Sequence, residues 1–470
     1  MRSTRAAARS SHHRLLALSG AVLGLATGLS LAALVAAGSS RSLETAMPAL
    51  ASRIEVAHLP PLLTVPGESI ELRFDTYCLP AGVDDIERPC PARGSLFVRT
   101  GDRGRFSTLP LRPTDARGPG RLVATLPAAL ARSPHGVSYY AVIEDAETGA
   151  SVTVPAGGAD APHRSIPLEH PVLVELGRHR FDETSRASAR VVAATWGPGP
   201  LEVGLEPGRN LSPIGGSSFD VRPDGTVYVL DEAKRRALRF SPGSHLPTPI
   251  PLEITGTIAD LAVGDDRMYV LETTGDRGSA GLLREFTLTG RPVDREPLAE
   301  PAYRVRMGPE GVPFVLRQGS GQWGAGEARG GELATPAEQR ASARPARELP
   351  SGGEVTVLRL GHEIRVAATD LRGARSAWRV TSETPLAEVQ LAEPLGGRLV
   401  VVARVYGDRK DEFLVLVLGP RGVERRFTVP SWDWAETAPL SRFRFQGGSL
   451  YQLGSTPREL FVDRYDLEVR

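Results

Sequence analysis

Between Ser218 and Gly243 the chain alternates apolar and polar positions in the period of two residues that is typical of half-buried strands. The segment reads SFDVRPDGTVYVLDEAKRRALRFSPG, in which FDV, TVYVL and ALRF are the alternating or apolar runs. Between the first two runs stands Pro-Asp-Gly, a combination that favours a tight turn. The pattern therefore predicts one small antiparallel sheet of three or more strands.

A similar unit follows at once, because IADLAVGDDRMYVLE places Tyr269 where the first unit has Tyr228. A repeat at this spacing is typical of propellers and other repeat folds. Further strand pairs continue to the C-terminus: SFDV with TVYVL, IADLAV with RMYVLE, AYRVRM with VPFVLR, EVTVLRL with EIRVAAT, AEVQLA with RLVVVARV, and SRFRFQ with SLYQLG. Six pairs predict an all-β, six-bladed β-propeller over residues 217–470, with five or seven blades as alternatives. Residues 318–353 interrupt the third repeat and are rich in Gly, Ala, Pro, Arg and Glu, which predicts a flexible surface insertion.

The preceding part of the chain also consists of short alternating runs. Residues 51–169 contain SIELRFDTY, GSLFVRT, RFSTLPL, RLVATLP, VSYYAVIED and ASVTVP, enough short strands for a small β-sandwich. The run GVSYYAVIEDAETG resembles the late strands of fibronectin type III and immunoglobulin-like modules. Residues 170–216 are predicted to connect the two parts and to supply one strand, SARVVAATW, that closes the propeller by pairing with its last blade.

The first unit of the propeller region resembles the repeat of NHL-repeat propellers. The matching positions are Pro223-Asp224-Gly225, Val227-Tyr228-Val229, Asp231, Arg236 and Phe240. In the second unit Glu272 replaces the Asp and Phe286 takes the aromatic place, and later units lose the Asp-Arg pair. The resemblance implies a propeller and often a binding role, without implying one substrate. Because it belongs to the repeat, the Asp231–Arg236 pair is interpreted as a structural ion pair across a turn rather than as catalytic groups.

The N-terminus predicts export. Four arginines precede an uncharged run from Leu15 to Gly38 that is long enough to span a bilayer, while Val35-Ala36-Ala37 suits a signal peptidase. Residues 1–40 are thus predicted to be a signal peptide or a single apolar anchor helix, with the remaining chain outside the cytoplasm in either case.

Two cysteines, Cys78 and Cys90, follow that segment. Their spacing fits neither a metal nor a redox motif, and an exported chain meets an oxidising compartment, so a disulfide is predicted.

Composition narrows the function. A formal charge of +1 gives no field that would attract nucleic acid, which we therefore exclude as a partner. A calcium-dependent propeller hydrolase needs several oxygen ligands, typically with more than one Asn, yet Asn210 is the only asparagine. A zinc or copper lyase needs histidines on successive strands, and only His245 and His362 fall within the repeats, both at predicted turns. No cofactor is predicted. Carboxylates at the starts of predicted inner strands are the remaining candidates for a metal site: Asp220, Asp260, Glu354 and Glu388.

Trp432 and Trp434 alternate in PSWDWAET, and two rings on one face could contact a partner or pack between blades. We expect an extracytoplasmic, non-catalytic binding or scaffold protein, anchored or secreted, that holds a protein or a cell-envelope glycan. The alternative functions are a secreted metal-dependent propeller hydrolase or lactonase, and a structural spacer.

Overall fold

The computed structural model describes residues 53–58, 60–61, 63–79, 88–114, 120–206, 213–273, 281–298, 302–308, 311–317, 323–325, 347–348, 354–370, 372–408, 410–435 and 442–467. The predicted N-terminal apolar segment lies outside these ranges, as does most of the predicted insertion at 318–353. Within these ranges no helix combines the length and the apolar character needed to cross a membrane.

The N-terminal part forms two sheets. Its strands are β1 (Arg53–His58), β2 (Leu63–Thr64), β3 (Ile70–Leu79), β4 (Arg88–Pro89), β5 (Ala92–Thr100), β6 (Ser107–Pro110), β7 (Arg112–Pro113), β8 (Arg121–Leu126), β9 (Val137–Asp145), β10 (Ser151–Val154) and β11 (His163–Pro167), with a short helix α1 (Ala128–Ala131). Sheet A has the order β1-β3-β8-β7, with β4 beside β3, and sheet B has the order β2-β11-β9-β5-β6, with β10 beside β9. Alternate residues of both sheets meet in one apolar core, for example Leu72 and Phe74 from sheet A with Leu96 and Tyr139 from sheet B. The alternating pattern thus buries one side of each sheet.

The described residues from Val172 onwards form six further sheets. Its strands are β12 (Val172–Glu175), β13 (Ala189–Thr195), β14 (Ser218–Val221), β15 (Val227–Asp231), β16 (Arg236–Phe240), β17 (Thr248–Pro251), β18 (Thr257–Val263), β19 (Arg267–Thr273), β20 (Leu282–Thr287), β21 (Pro292–Pro297), β22 (Ala302–Met307), β23 (Pro313–Arg317), β24 (Trp323–Ala325), β25 (Arg347–Glu348), β26 (Glu354–Arg359), β27 (Glu363–Thr369), β28 (Arg375–Thr381), β29 (Leu386–Leu395), β30 (Arg398–Tyr406), β31 (Asp411–Gly419), β32 (Gly422–Pro430), β33 (Phe443–Gln446), β34 (Ser449–Ser455) and β35 (Glu459–Asp466). Four of these sheets consist of consecutive strands: sheet C (β14 to β17), sheet D (β18 to β21), sheet E (β22 to β24) and sheet G (β29 to β32). The other two each include one earlier strand: sheet F has the order β12-β28-β27-β26-β25, and sheet H has the order β13-β35-β34-β33. A 3-10 turn, Glu232–Lys234, joins β15 to β16.

Neighbouring sheets share apolar cores. Tyr228 of sheet C packs in one cluster with Val270 of sheet D. Equivalent clusters join D to E, F to G, G to H, and H back to C. Consecutive antiparallel meanders that stack face to face in this way form a β-propeller, and the predicted all-β class and propeller fold are confirmed.

Sheet H begins with a strand from the connector. Strand β13 pairs antiparallel with the C-terminal strand β35, for example Ala193 opposite Phe461. The connector also supplies β12, which pairs in parallel with β28 at the edge of sheet F. A parallel partner from the connector was not predicted.

Sheet F differs from the other sheets in its surroundings. On one side its residues share a core with sheet G, and on the other Leu358 packs against Leu63 and Leu168 of the N-terminal part. Within the described ranges no core cluster joins sheet E to sheet F. The predicted pairing of EVTVLRL with EIRVAAT is present as β26 with β27, and the two-residue strand β25 pairs on the other side of β26.

Candidate functional site

The first strands of several propeller sheets bring charged side chains together, and Asp260 on β18 lies at their centre. Asp260 is fully buried. Its carboxylate accepts hydrogen bonds from the Ser218 hydroxyl at 2.5 Å, the Val305 amide at 2.8 Å, Arg306 Nη1 at 3.2 Å and Arg444 Nη2 at 3.0 Å. The carboxylate is therefore enclosed by donors from three other sheets, C, E and H.

Asp220 on β14 lies beside the same arginine. Its Oδ1 is 3.4 Å from Arg444 Nε, and its Oδ2 accepts a hydrogen bond from the Val263 amide at 2.8 Å. Burial raises the pKa of Asp220, against the lowering effect of the guanidinium. Arg444 also donates to the carbonyl oxygens of Phe219 and Leu261, at 2.7 and 2.9 Å. One buried guanidinium thus joins sheet H to sheets C and D.

A third pair completes the cluster. Arg304 on β22 donates to Glu388 Oε1 at 3.0 Å and to the Gln390 carbonyl at 3.1 Å, which ties sheet E to sheet G. Gln390 in turn donates to Glu388 Oε2 at 2.6 Å. We call the following six residues the inner network: Asp220, Asp260, Arg304, Arg306, Glu388 and Arg444. Its three carboxylates are matched by three guanidinium groups.

The inner network contains three of the four carboxylates that the sequence offered as candidate metal ligands. A hard cation needs carboxylate oxygens that are free to face it, whereas Asp220, Asp260 and Glu388 face arginines. Glu354, the fourth candidate, does not join them and lines a cleft beside sheet B instead. Among described residues, the one group with metal-ligand spacing is Cys78, Cys90 and Asp145. Both of its sulfur atoms are engaged in a disulfide.

That disulfide is the predicted one. Cys78 on β3 and Cys90, just after β4, have Cα atoms 5.6 Å apart and are bonded. Because Cys78 lies opposite Arg88 in the pairing of β3 with β4, the bond fastens this short strand to sheet A.

The Asp231–Arg236 pair fastens the segment that enters sheet C. Arg236 Nε donates to Asp231 Oδ2 at 2.8 Å, and the Gly204 amide donates to Asp231 Oδ1 at 3.0 Å. The two terminal nitrogens of Arg236 donate to the carbonyl oxygens of Pro200 and Glu202, at 2.6 and 2.5 Å. Asp231 is fully buried and Arg236 nearly so. Through these hydrogen bonds the pair holds the loop that contains Pro200, Glu202 and Gly204 against sheet C.

Lys234 acts in the same place. Its ammonium donates to the carbonyl oxygens of Gly197, Gly199 and Glu202, at 2.6, 2.8 and 2.9 Å. Burial lowers the pKa of Lys234. Lys234 therefore binds the same incoming loop as Asp231 and Arg236.

Other sheets make the equivalent contact with different residues. Glu272, at the end of β19, accepts hydrogen bonds from the amides of Thr255 and Gly256 and from Arg284. Ser455, at the end of β34, accepts one from the Ala435 amide at 2.8 Å. Sheets C, D and H thus each have an acceptor at the end of the second strand, and neither Ser455 nor Arg284 was predicted to take part in this contact.

Trp432 and Trp434, the two candidate partner-contact residues, pack against different aromatic side chains. Trp432 is 44% exposed, has a left-handed backbone (φ 44°) and touches Phe461 edge-on with 6.1 Å between ring centroids. Trp434 is partly buried and lies 6.0 Å from the ring of Trp196. Their segment is not a strand, so the prediction of a shared face from strand alternation is wrong. Of the two tryptophans, Trp432 is the one that presents a large exposed aromatic surface.

A cleft separates the N-terminal part from sheet F. It consists of two adjoining cavities of about 440 and 920 Å³ that share Ile166, Pro167, Glu354, Thr369 and Arg375 in their linings. The wall from the N-terminal part includes Asp102, Arg103, His135 and Arg164, and the opposite wall includes Thr356 and Ser376. Volumes of this order are usual for ligand sites.

Ion pairs between side chains, as well as the packing of leucines, hold the two walls of the cleft together. Glu68 accepts hydrogen bonds from Arg365 and Arg379, both at 2.9 Å, and Glu363 accepts from the same two arginines at 2.5 and 3.0 Å. Burial opposes ionisation of Glu363, but the hydrogen bonds from both arginines lower its pKa overall. This four-membered ring of charges fixes the separation of the walls.

No protein-family model matches the chain, and no curated protein matches it. Among solved structures, the chain is similar to virginiamycin B lyase from Staphylococcus aureus, with 12% identity over 53% of this chain and 94% of that one and a TM-score of 0.30. It is similar to a PQQ-bound aldose sugar dehydrogenase from Streptomyces coelicolor, with 11% identity over 59% and 97% of the two chains and a TM-score of 0.35. It is also similar to BamB from Moraxella catarrhalis, with 10% identity over 60% and 99% and a TM-score of 0.28. With TM-scores below 0.5, these likenesses transfer no activity, substrate or partner to this chain.

Proposed function

We propose that the chain is an extracytoplasmic, non-catalytic binding protein, anchored by or released from its N-terminal apolar segment, that holds a protein or a cell-envelope glycan. In this proposal sheets C to H are the six blades of an NHL-like propeller. Sheets A and B are a fibronectin type III-like or immunoglobulin-like sandwich that precedes it.

One observation carries the proposal. The charged groups that the propeller gathers on its inner strands are paired with one another, and each of three carboxylates lies within 3.4 Å of a guanidinium group. A hydrolase of the metal-dependent propeller class would need these carboxylates to face a cation. A scaffold needs only that they hold the blades in register. The proposal therefore places function on the surface, where Trp432 is a large exposed aromatic residue of the kind that is enriched at binding sites.

Co-sedimentation with purified cell-wall sacculi tests the proposal. Full-length protein is mixed with native sacculi and with sacculi stripped of protein, and retention is compared for the wild type, Trp432→Ala and Leu246→Ala. Leu246 is 68% exposed and follows β16, so its removal is a matched loss of surface apolar area in another sheet.

We expect saturable retention that Trp432→Ala weakens at least several-fold and Leu246→Ala leaves unchanged. Retention on stripped sacculi identifies a glycan partner, and retention on native sacculi alone identifies a protein partner. Absence of saturable retention on both, or metal-dependent hydrolysis of lactone or ester substrates by the purified protein, would contradict the proposal.

A further inference from the structure

The cleft between the N-terminal part and sheet F has the properties of a ligand site. Its two walls are joined directly, because the ion pairs among Glu68, Arg365, Glu363 and Arg379 and the leucine cluster both span the junction. Such a cleft needs little ordering when it binds, and preorganisation of this kind increases affinity.

Unlike the charged groups of the inner network, the charged groups that line the cleft are not all paired. Asp102 is paired with Arg164 at 2.8 Å. Arg103 on the N-terminal wall and Arg375 on the sheet F wall line the same cavity, and both are exposed. Within the described part of the chain neither guanidinium has a hydrogen-bonding or ionic partner. Two cationic groups therefore line one cavity from opposite walls, and the Glu354 carboxylate lines it as well.

Hydroxyl groups and backbone strain accompany these arginines. Thr100 and Thr369 line the larger cavity and Ser376 lines the smaller one, and such side chains can both donate to and accept from a polyhydroxylated ligand. His170, which lines the smaller cavity, has a left-handed backbone (φ 45°). Non-glycine residues adopt this conformation at a cost of about 1 kcal/mol or more, and they cluster at functional sites. The lining offers no exposed aromatic platform, since Trp378 is buried.

From this lining we infer that the cleft binds a segment of an acidic oligosaccharide, whose carboxylate or phosphate groups pair with Arg103 and Arg375 and whose hydroxyl groups contact the serine and threonine side chains. Guanidinium groups suit both anions because they donate two parallel hydrogen bonds to either. The inference rests on the proposed function and names the ligand class and the place where a cell-envelope glycan is held.

Titration calorimetry on the full-length protein in detergent tests the inference with three defined probes. Tetragalacturonate presents carboxylates, a glycerol-phosphate tetramer presents phosphates, and maltotetraose is a neutral chain. The test variant is Arg103→Ala/Arg375→Ala. The matched control is Arg291→Ala/Arg295→Ala, which removes two exposed arginines from sheet D and its adjoining turn.

We expect at least one acidic probe to bind with an affinity that falls as salt rises. The Arg103→Ala/Arg375→Ala variant should weaken it about 10-fold or more, and the control variant should leave it unchanged. The tighter acidic probe identifies the anion as carboxylate or phosphate. Failure of both acidic probes to bind, equal binding of maltotetraose, or equal weakening by the control variant would overturn the inference. If sacculi still retain the wild type while no acidic probe binds, the cleft assignment fails and the proposed function stands.

Discussion

The inner network and the cleft use the same side chains in opposite ways. In the inner network Asp260 and Arg444 are both buried, and each meets its partner inside the fold. In the cleft Arg103 and Arg375 are exposed and line one cavity from opposite walls. Paired charges in the interior specify how blades meet, whereas unpaired charges at the surface remain available to a ligand. The comparison indicates that the presence of charged residues does not by itself locate a ligand site, whereas the lack of an ionic partner does.

The largest effect should follow from breaking the inner network. In Asp260→Ala the side chains of Ser218, Arg306 and Arg444 lose their common acceptor, and buried guanidinium groups lose their countercharge. Removal of one partner from a buried ion pair typically destabilises a protein by about 3–5 kcal/mol. Urea unfolding followed by circular dichroism measures the change. Asp294→Ala, at an exposed aspartate of sheet D, is the control, and a loss below about 1 kcal/mol for Asp260→Ala would show that the network is not structural.

Acid should next act on the N-terminal part, because it carries two half-buried histidines, His58 and His163, that the propeller sheets do not share. His58 bonds the Tyr139 hydroxyl at 2.8 Å and the Arg73 carbonyl at 2.7 Å, and its ring lies 5.3 Å from that of His163. Burial lowers the pKa of His58 from 6.5 to about 4 and that of His163 to about 3.

These lowered pKa values set the pH window. The unfolded chain takes up protons near pH 6.5 while the folded chain does not, so stability is complete above pH 6.5 and falls as the pH decreases towards 4. For His58 the loss is about 3 kcal/mol across that window. Stability measured from pH 7.5 to 4 should show this slope in the wild type and in His245→Gln, which alters an exposed histidine. A His58→Phe/His163→Leu variant with an unchanged slope would contradict the assignment.

A smaller loss should follow from Asp231→Ala. Arg236 keeps its two carbonyl acceptors in the 197–204 loop, so we expect about 2 kcal/mol rather than the full loss of a buried pair. Ser455→Ala removes one neutral acceptor and should destabilise by about 1 kcal/mol. Hydrogen exchange should accelerate selectively at the Gly204 amide in the first variant and at the Ala435 amide in the second. Uniform acceleration of exchange across both sheets would show that these contacts do not stabilise their own segments selectively.

The smallest effect on stability should come from the cleft. Arg103→Ala/Arg375→Ala removes charges that no described residue pairs, so the free energy of unfolding should change by less than about 0.5 kcal/mol. Thermal unfolding and urea unfolding both measure it. A loss as large as that of Asp231→Ala would mean that these arginines support the fold, and the contrast between the two regions would disappear.

Local rules were sufficient for part of this structure. Asp224 accepts a hydrogen bond from the Thr226 amide at 2.9 Å and Gly225 is left-handed (φ 83°), which is the turn chemistry that Pro-Asp-Gly predicts. The all-β class, the propeller fold and the disulfide follow from such local patterns. Blade number, module families, export and partners stay predictions.

The candidate site depends on contacts that no local pattern reveals. Arg444 reaches Phe219, 225 residues away in sequence, and Arg365 reaches Glu68 across 297 residues. Ser455 shares no chemistry with Asp231 beyond an oxygen acceptor at the end of a second strand, so a residue pattern cannot match the two. Glu354 was grouped with Asp260 by its place in a repeat, yet sheet F packs on the N-terminal part and turns that position towards the cleft.

Calcium dependence of thermal unfolding tests the central claim that the inner network is closed by its own arginines. Full-length protein is unfolded in excess EDTA and in millimolar calcium, with Asp260→Asn measured alongside. A ligand that binds only the folded state raises Tm by mass action. We predict that calcium shifts Tm of the wild type by less than about 1 °C. A rise of several degrees that Asp260→Asn abolishes would contradict the account, because it would show that these carboxylates bind a cation rather than arginines.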